Sequence, residues 1–224
     1  MFATAEQYDE WLAPLLNGEI RSAFAMTEPD TASSDAANIQ TRIERDRDDY
    51  VITGRKWWIT NAAHPNCQLL IVMGKTDPNA DTYHQQSMVL VPMNTPGVKV
   101  VRNLTVVNHH HPEGHCEIVF DHVRVPASHL LGEEGSGFAL AQARLGPGRI
   151  HHCMRSIGAA ELALALMTAR AQERKTFGRY LHEHGSVAEW ISRSRIEIEQ
   201  ARLLILKTAW LIAAQGAKAA RNEL

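Results

Sequence analysis

The chain has 224 residues, 45% of them hydrophobic and 21% charged, which is the balance of a folded globular protein and not of a disordered one. With 23 Lys and Arg against 25 Asp and Glu it carries a net charge of -2, so it has neither the basic excess of a nucleic-acid binder nor a polybasic membrane anchor. No run approaches the ~20 uninterrupted apolar residues of a membrane span.

The first residues, Met1 to Glu6, turn acidic too early for a secretory or transit leader. Cys67, Cys116 and Cys153 are scattered and odd in number, so no disulfide framework is expected and a reducing, intracellular setting is. Residues 5–17 place Tyr8, Trp11, Leu12, Leu15 and Leu16 at helical spacing, with Asn17-Gly18 as a stop. A helix this short cannot bury its stripe alone and is expected to pack on something, with nothing upstream in the sequence to receive it.

From 21 to 128 the pattern changes to strands. Phe24-Ala-Met26, Ile39 to Ile43, Tyr50 to Thr53, Lys56 to Thr60, Gln68 to Met73, Ser87 to Val91, Gly97 to Val101, Glu117 to Phe120 and His122 to Val125 are short runs bounded by turn residues. Gly54-Arg55 reads as one of those turns. The series predicts a β-barrel or sandwich of roughly 100 residues. After Leu131 the pattern becomes helical. Gly146-Pro147-Gly148 is expected to interrupt or kink the first run. A long helix from Arg149 to about Arg174 follows, and a last one over about 185–219. Ile191, Ile198, Ile205 and Ile212 recur seven residues apart, which predicts packing along another long helix, in a bundle core or at a subunit interface.

Four segments hold residue types that carry chemistry. Ala25 to Asp35 follows a strand end with small and hydroxyl residues, whose exposed backbone N–H groups suit carbonyl or phosphate oxygens; the same residues also serve as turn caps. Gly54-Arg-Lys-Trp-Trp-Ile-Thr-Asn61 places adjacent tryptophans on opposite faces of a strand, one for the core and one able to stack on a flat heterocycle beside a Thr hydroxyl. Glu173-Arg-Lys-Thr-Phe-Gly178 at a helix end reads either as a complement to the helix dipole or as an anion clamp. His109-His-His-Pro-Glu-Gly-His115-Cys116 has metal-ligand types, but Pro112 and Gly114 mark a loop between strands and no second cluster completes a site.

Together and in this order, Met26-Thr-Glu-Pro with its Ser-Asp, Gly54 to Asn61, Phe120-Asp-His-Val-Arg-Val-Pro126 and Glu173 to Gly178 resemble the acyl-CoA dehydrogenase family, in the branch whose first motif reads Thr-Glu-Pro-Asp. The resemblance implies an α+β chain: 1–20 as the end of an N-terminal helical domain, 21–128 as the middle β-barrel domain and 129–224 as part of a C-terminal helical domain. It implies α,β-desaturation of an acyl-CoA thioester, with FAD as cofactor, an electron-transfer flavoprotein as acceptor and a homo-oligomer that shares FAD across subunits.

On the same ground Met26 and Thr27 line the flavin, Trp58 walls its ring, and Ile59 and Thr60 back it near N5. Ser34 lies where the pyrophosphate of FAD and the pantetheine of CoA are held, with Ser33 as the alternative because the loop has one residue more than the Gly-rich version. Arg174, Thr176 and Phe177 form the clamp on the adenine-diphosphate half, and Arg149 matches an arginine near the acyl-CoA tail. Gly185 after His184 departs from the Gln found in many relatives. The family's base is a Glu after a late glycine-rich segment, which the sequence to Leu224 does not reach, or a Glu where Gly148 stands here, so this chain is expected to lack it. A non-catalytic FAD or acyl-CoA binding module and an oxidase-type relative are the alternatives. The setting implied is the mitochondrial matrix or peroxisome in a eukaryote and the cytoplasm in a bacterium.

Overall fold

The computed structural model describes residues 2–216 and 220. The chain forms two compact units that divide between Ala141 and Gln142. It is α+β, with the eight-stranded sheet in the first unit and most of the long-helix residues in the second.

Residues 5–17 are helical throughout, as Ala5–Gln7, a π-helical Tyr8–Leu12 and Ala13–Asn17. Thr4 and Gln7 form a capping box at the start, and Gly18 ends the run in the left-handed conformation (φ 76°). The segment is docked by Gln7, whose Nε2 donates to the carbonyls of Ser128 at 2.7 Å and Leu130 at 2.9 Å. Trp11 packs edge-on against His129.

Eight strands follow: β1 Arg21–Ala25, β2 Arg42–Asp46, β3 Asp49–Thr60, β4 Cys67–Lys75, β5 Gln86–Pro92, β6 Val98–Asn103, β7 His115–Pro126 and β8 Leu130–Leu131. They run in the order β6-β7-β3-β2-β4-β5-β8, with β1 parallel on β4. The predicted barrel therefore does not close; β6 and β8 are the two ends of the path. β2 pairs along all five of its residues with β3 and meets β4 at a single pair, Arg42 with Lys75. The strands enclose a core of Ile43, Tyr50, Ile52, Val72, Val89, Ile118 and Phe120, all fully or almost fully buried.

Three strand predictions are corrected. Tyr50–Thr53 and Lys56–Thr60 are one strand, because Gly54 is not a turn: a Cβ there would stand 2.5 Å from Thr41 Oγ1, and the glycine lets Thr41 close in on an uninterrupted backbone. Glu117–Phe120 and His122–Val125 are also one strand, bent at a bulge where Asp121 and His122 (φ 49°) face the single residue Thr53. Ile39 to Thr41 are not strand; Ile39 is wholly buried in a second apolar cluster with Met73, Met88 and Leu140.

The helix Gly137–Glu173 runs through Pro147 without the predicted interruption. One proline removes one backbone bond from a 37-residue helix, and neither Gly146 nor Gly148 has a neighbour within 4 Å to crowd the turn. The second long helix is Gly185–Gln215; the expected residues 217–219 lie outside the described residues. Ile157 and Leu164 pack against Ile198, with Ile191 and Ile205 at the margins, so the seven-residue spacing is the seam between the two helices. A short hairpin that the sequence did not suggest, β9 Lys175–Thr176 and β10 Arg179–Tyr180, joins them. No helix among the described residues is long and apolar enough to cross a membrane.

Candidate functional site

The centre of the first motif is a buried ion pair. Glu28 and Lys56 are 4% and 0% exposed, and Lys56 Nζ donates to Glu28 Oε1 and to the Met26 carbonyl, both at 2.8 Å. Glu28 also accepts from Thr41 N–H at 2.8 Å, Thr41 Oγ1 at 2.6 Å and Gln40 N–H at 2.6 Å, so both its oxygens are satisfied. Two further bonds zip the same segments: Trp57 N–H donates to the Thr27 carbonyl at 3.0 Å, and Thr27 Oγ1 donates to the Trp57 carbonyl at 2.5 Å. Met26-Thr27, thirty residues from Trp57, is thereby fixed beside it.

Burial pushes the Glu28 carboxyl up, but the Lys56 charge and the hydrogen bonds from Lys56, Thr41 and Gln40 outweigh it and hold it below its usual range. For Lys56 burial wins over Glu28, and the ammonium is pushed down to about 8. The Glu28 shift gives a direction to acid unfolding. A carboxyl depressed in the folded state adds stability above its unfolded pKa, and this is lost as pH falls through the folded value. Urea unfolding midpoints of the wild-type chain should therefore fall on going from pH 5 towards pH 3 more steeply than those of Glu28→Gln; parallel curves would show that Glu28 contributes nothing to the acid transition.

A bulge sets the next residue. Lys56 registers with Ile118 and Ile59 with Cys116, so Trp57 and Trp58 together face Glu117 alone. Trp58 takes φ 55°, a rare conformation for an aromatic residue, and is 41% exposed. The expected strict alternation of the two tryptophans is therefore broken: the bulge turns the Trp58 ring outward while Trp57 stays half-buried. The facing Glu117 is buried and ion-paired to Arg102, at 2.6 Å, and to Arg55. Ile59 is buried beneath this end of the strand, and Thr60 is exposed with its Oγ1 3.0 Å from His115 Nδ1.

In the loop after Glu28, Ser33 is occupied. Its Oγ accepts from Glu28 N–H at 2.8 Å and lies 3.3 Å from Thr31 Oγ1. Ser34 is exposed, and its hydroxyl makes no hydrogen bond among the described residues, which leaves Ser34 the freer of the two serines. The structure thus brings Met26, Thr27, Trp58, Ile59 and Thr60 together in the first unit, with Ser34 in the loop beyond Glu28.

Arg149, Arg174, Thr176 and Phe177 belong to the second unit. Arg149 is exposed, 3.4 Å from Gln142 Oε1. Phe177-Gly178 is the two-residue turn of the β9–β10 hairpin, with φ 50° and 79°. Such turns favour Asn-Gly; here a phenylalanine stands in the strained position with its ring 95% exposed. Arg174 and Lys175 are both exposed, and Lys175 lies 4.4 Å over the Tyr180 ring. Glu161 is ion-paired to Arg195 and Arg202. His109 closes a turn with Val106, and among the described residues no three His, Cys, Asp or Glu side chains gather as a metal site.

Sequence reasoning named both motifs but missed the Glu28–Lys56 pair that joins them. The available signal was a Lys directly before the paired tryptophans of a strand, a residue type that is seldom buried unless paired. The site residues fit a flavin: an exposed indole face for a flat ring, a thioether and a hydroxyl at its edge, and an unspent serine hydroxyl in an adjoining loop.

Two domain profiles match the chain: the acyl-CoA dehydrogenase middle domain over residues 23–123 and the acyl-CoA dehydrogenase C-terminal domain over 135–224. FadE2 of Mycobacterium tuberculosis, assigned as an acyl-CoA dehydrogenase, is 62% identical over 222 residues, covering 99% of this chain and 54% of that protein. A protein of Mycobacterium abscessus assigned the same way superposes with a TM-score of 0.94 at 49% identity, over 99% of this chain and 55% of that one. A glutaryl-CoA dehydrogenase of Mycobacterium smegmatis in complex with FADH2 gives a TM-score of 0.83 at 28% identity, over 96% of this chain and 53% of that one. The chain spans about half the length of these relatives. It is a member of the acyl-CoA dehydrogenase family.

Proposed function

We propose that the protein is an FAD-dependent acyl-CoA dehydrogenase that desaturates an acyl-CoA thioester between its α and β carbons. The observation that carries this reading is the outward Trp58 on its bulge, locked beside Met26 and Thr27 by the buried Lys56. Bound there, FAD supplies the hydride acceptor. The chain's own residues would hold it: Trp58 would present a stacking face, Met26 and Thr27 would line the ring edge, Ile59 would back it, and Thr60 would offer a hydroxyl near N5. Ser34 binds the pyrophosphate and the pantetheine chain, and Arg149 lies near the acyl-CoA tail. Arg174, Thr176 and Phe177 clamp the adenine-diphosphate half of an FAD in a neighbouring subunit, so the working form is a homo-oligomer. The electrons pass to an electron-transfer flavoprotein, and the protein works inside the cell.

We assign the α-proton base to no residue of 1–224. Gly148 has no side chain to serve, and Glu161 is held by two arginines, which lower its carboxyl through the Arg195 hydrogen bond above all. That favours a second reading for this stretch taken alone, as an FAD and acyl-CoA binding module. Anaerobic mixing of the FAD-loaded chain with acyl-CoA tests both. Binding without bleaching of the flavin band is the expected result. Rapid bleaching would place a base within residues 1–224, and peroxide in air would mark an oxidase.

The clamp has its own test. Lys175 is engaged by Tyr180 and Arg174 is exposed, so Arg174→Ala should weaken FAD retention several-fold, about 1 kcal/mol for a charge-assisted contact, and Lys175→Ala little. Equal losses in both would favour the helix-dipole role.

A further inference from the structure

The strand end that carries Trp58 also carries Thr60, and the residue registered opposite Thr60 on β7 is His115. His115 Nδ1 lies 3.0 Å from Thr60 Oγ1. The backbone of His115 is fixed from both sides: its N–H donates to Asn103 Oδ1 at 2.7 Å, and its carbonyl accepts from Leu104 N–H at 3.0 Å. Its ring is tilted against His111 with centroids 5.4 Å apart, and it stands 6.5 Å from the Trp58 ring. His115 is half-buried and Thr60 is exposed, so the hydroxyl stands between an anchored imidazole and an open face.

A hydroxyl has one proton, and its neighbour decides where that proton points. When Nδ1 is bare, Thr60 O–H donates to it and turns only lone pairs outward. When Nδ1 carries the proton, the imidazole donates to Oγ1 and the hydroxyl proton turns outward. A neutral imidazole offers either arrangement through its two tautomers, whereas a Lys or Arg in its place could only donate. We propose that His115 is a positioning residue, which sets the direction of the Thr60 hydroxyl towards the edge of the flavin ring. This rests on the assignment of Thr60 to that edge under the function proposed above. A ring edge that accepts a hydrogen bond in one redox state and donates one in the other needs a hydroxyl able to reverse, and the histidine provides the reversal without moving a heavy atom.

Two substitutions separate geometry from mere bulk. Asn at 115 places an amide where Nδ1 stands, whereas Gln reaches towards Nε2. The 224-residue chain is titrated with FAD, following both affinity and the visible band of the bound flavin. Thr60→Val and His115→Gln should each weaken binding about 3- to 10-fold, the worth of one hydrogen bond, and shift the band. His115→Asn should keep the wild-type values. In the FAD-free chain, imidazole ¹⁵N shifts report the contact directly: Thr60→Val should move the His115 Nδ1 resonance.

If Thr60→Val leaves affinity and band unchanged, the placement of Thr60 at the flavin fails, and this inference with it. If Thr60→Val acts but His115→Gln matches wild type, the placement stands and the role of His115 is overturned. Should His115→Gln not fold, the ¹⁵N measurement decides, because an Nδ1 resonance unmoved by Thr60→Val overturns the proposal.

Discussion

Replacing Lys56 with Met is expected to destabilise the strand unit by about 3–5 kcal/mol, the cost of leaving a buried carboxylate without its counter-charge. The native pair is not a net source of stability by attraction alone. Burial depresses the Lys56 ammonium to about 8 against the pull of Glu28, whereas for Glu28 the lysine charge and the hydrogen bonds outweigh burial, so the two partners pull in opposite directions. What the pair contributes is position: one Nζ holds the Met26 carbonyl and Glu28 together, and Glu28 holds Gln40 and Thr41. Lys56→Met therefore removes two bonds and strands a charge that is 4% exposed. Adding Glu28→Gln removes the stranded charge while keeping an amide oxygen for Thr41, and the double variant should recover more than half of the loss. Urea unfolding of the three variants measures this; a double variant no more stable than Lys56→Met would show that the charge is not the cause.

Trp58→Asn should have the opposite profile, with a large loss of FAD affinity and little change in stability. Trp58 is 41% exposed and held at φ 55°, a conformation that Asn adopts at lower cost than an aromatic residue. Removing the ring gives up its contacts with Trp57 and His115 but relieves backbone strain of ~1–2 kcal/mol, so unfolding stability should stay within about 1 kcal/mol of wild type or rise. The loss of a stacking face should weaken FAD binding about 10- to 100-fold, from ~1–3 kcal/mol for aromatic stacking on a ring. A strained aromatic residue that stabilises nothing in its own fold is the mark of a site kept for a ligand. A fall in stability of several kcal/mol would instead make Trp58 a core residue.

How far the sequence could be read depended on whether the deciding contact was local. The helix at 5–17 and the isoleucine seam were legible because their periodicity lies within one segment. The merging of Tyr50–Thr53 with Lys56–Thr60 was not, because Gly54 answers to Thr41, thirteen residues away, and not to a turn of its own. Closure of the barrel was equally hidden, since it depends on whether β6 and β8, the two ends of the strand path, meet. For the site, the motif strings named Met26, Thr27, Trp58 and Thr60, yet the bulge that turns Trp58 outward arises from register against Glu117. The Glu28–Lys56 pair and the His115–Thr60 contact join residues 28 and 55 positions apart. Neither pairing can be read from a single window of sequence, although the type of Lys56 hints that it has a partner.

The face carrying Trp58 is proposed as the flavin site. The most direct measurement is a fluorescence titration of FAD into the wild-type chain and into Trp58→Asn, since an indole stacked on the isoalloxazine ring quenches its emission. Saturable quenching by the wild-type chain, with a curve displaced about tenfold or more and shallower in the variant, is the predicted result. Superimposable curves, or no saturable change with the wild-type chain, would contradict it.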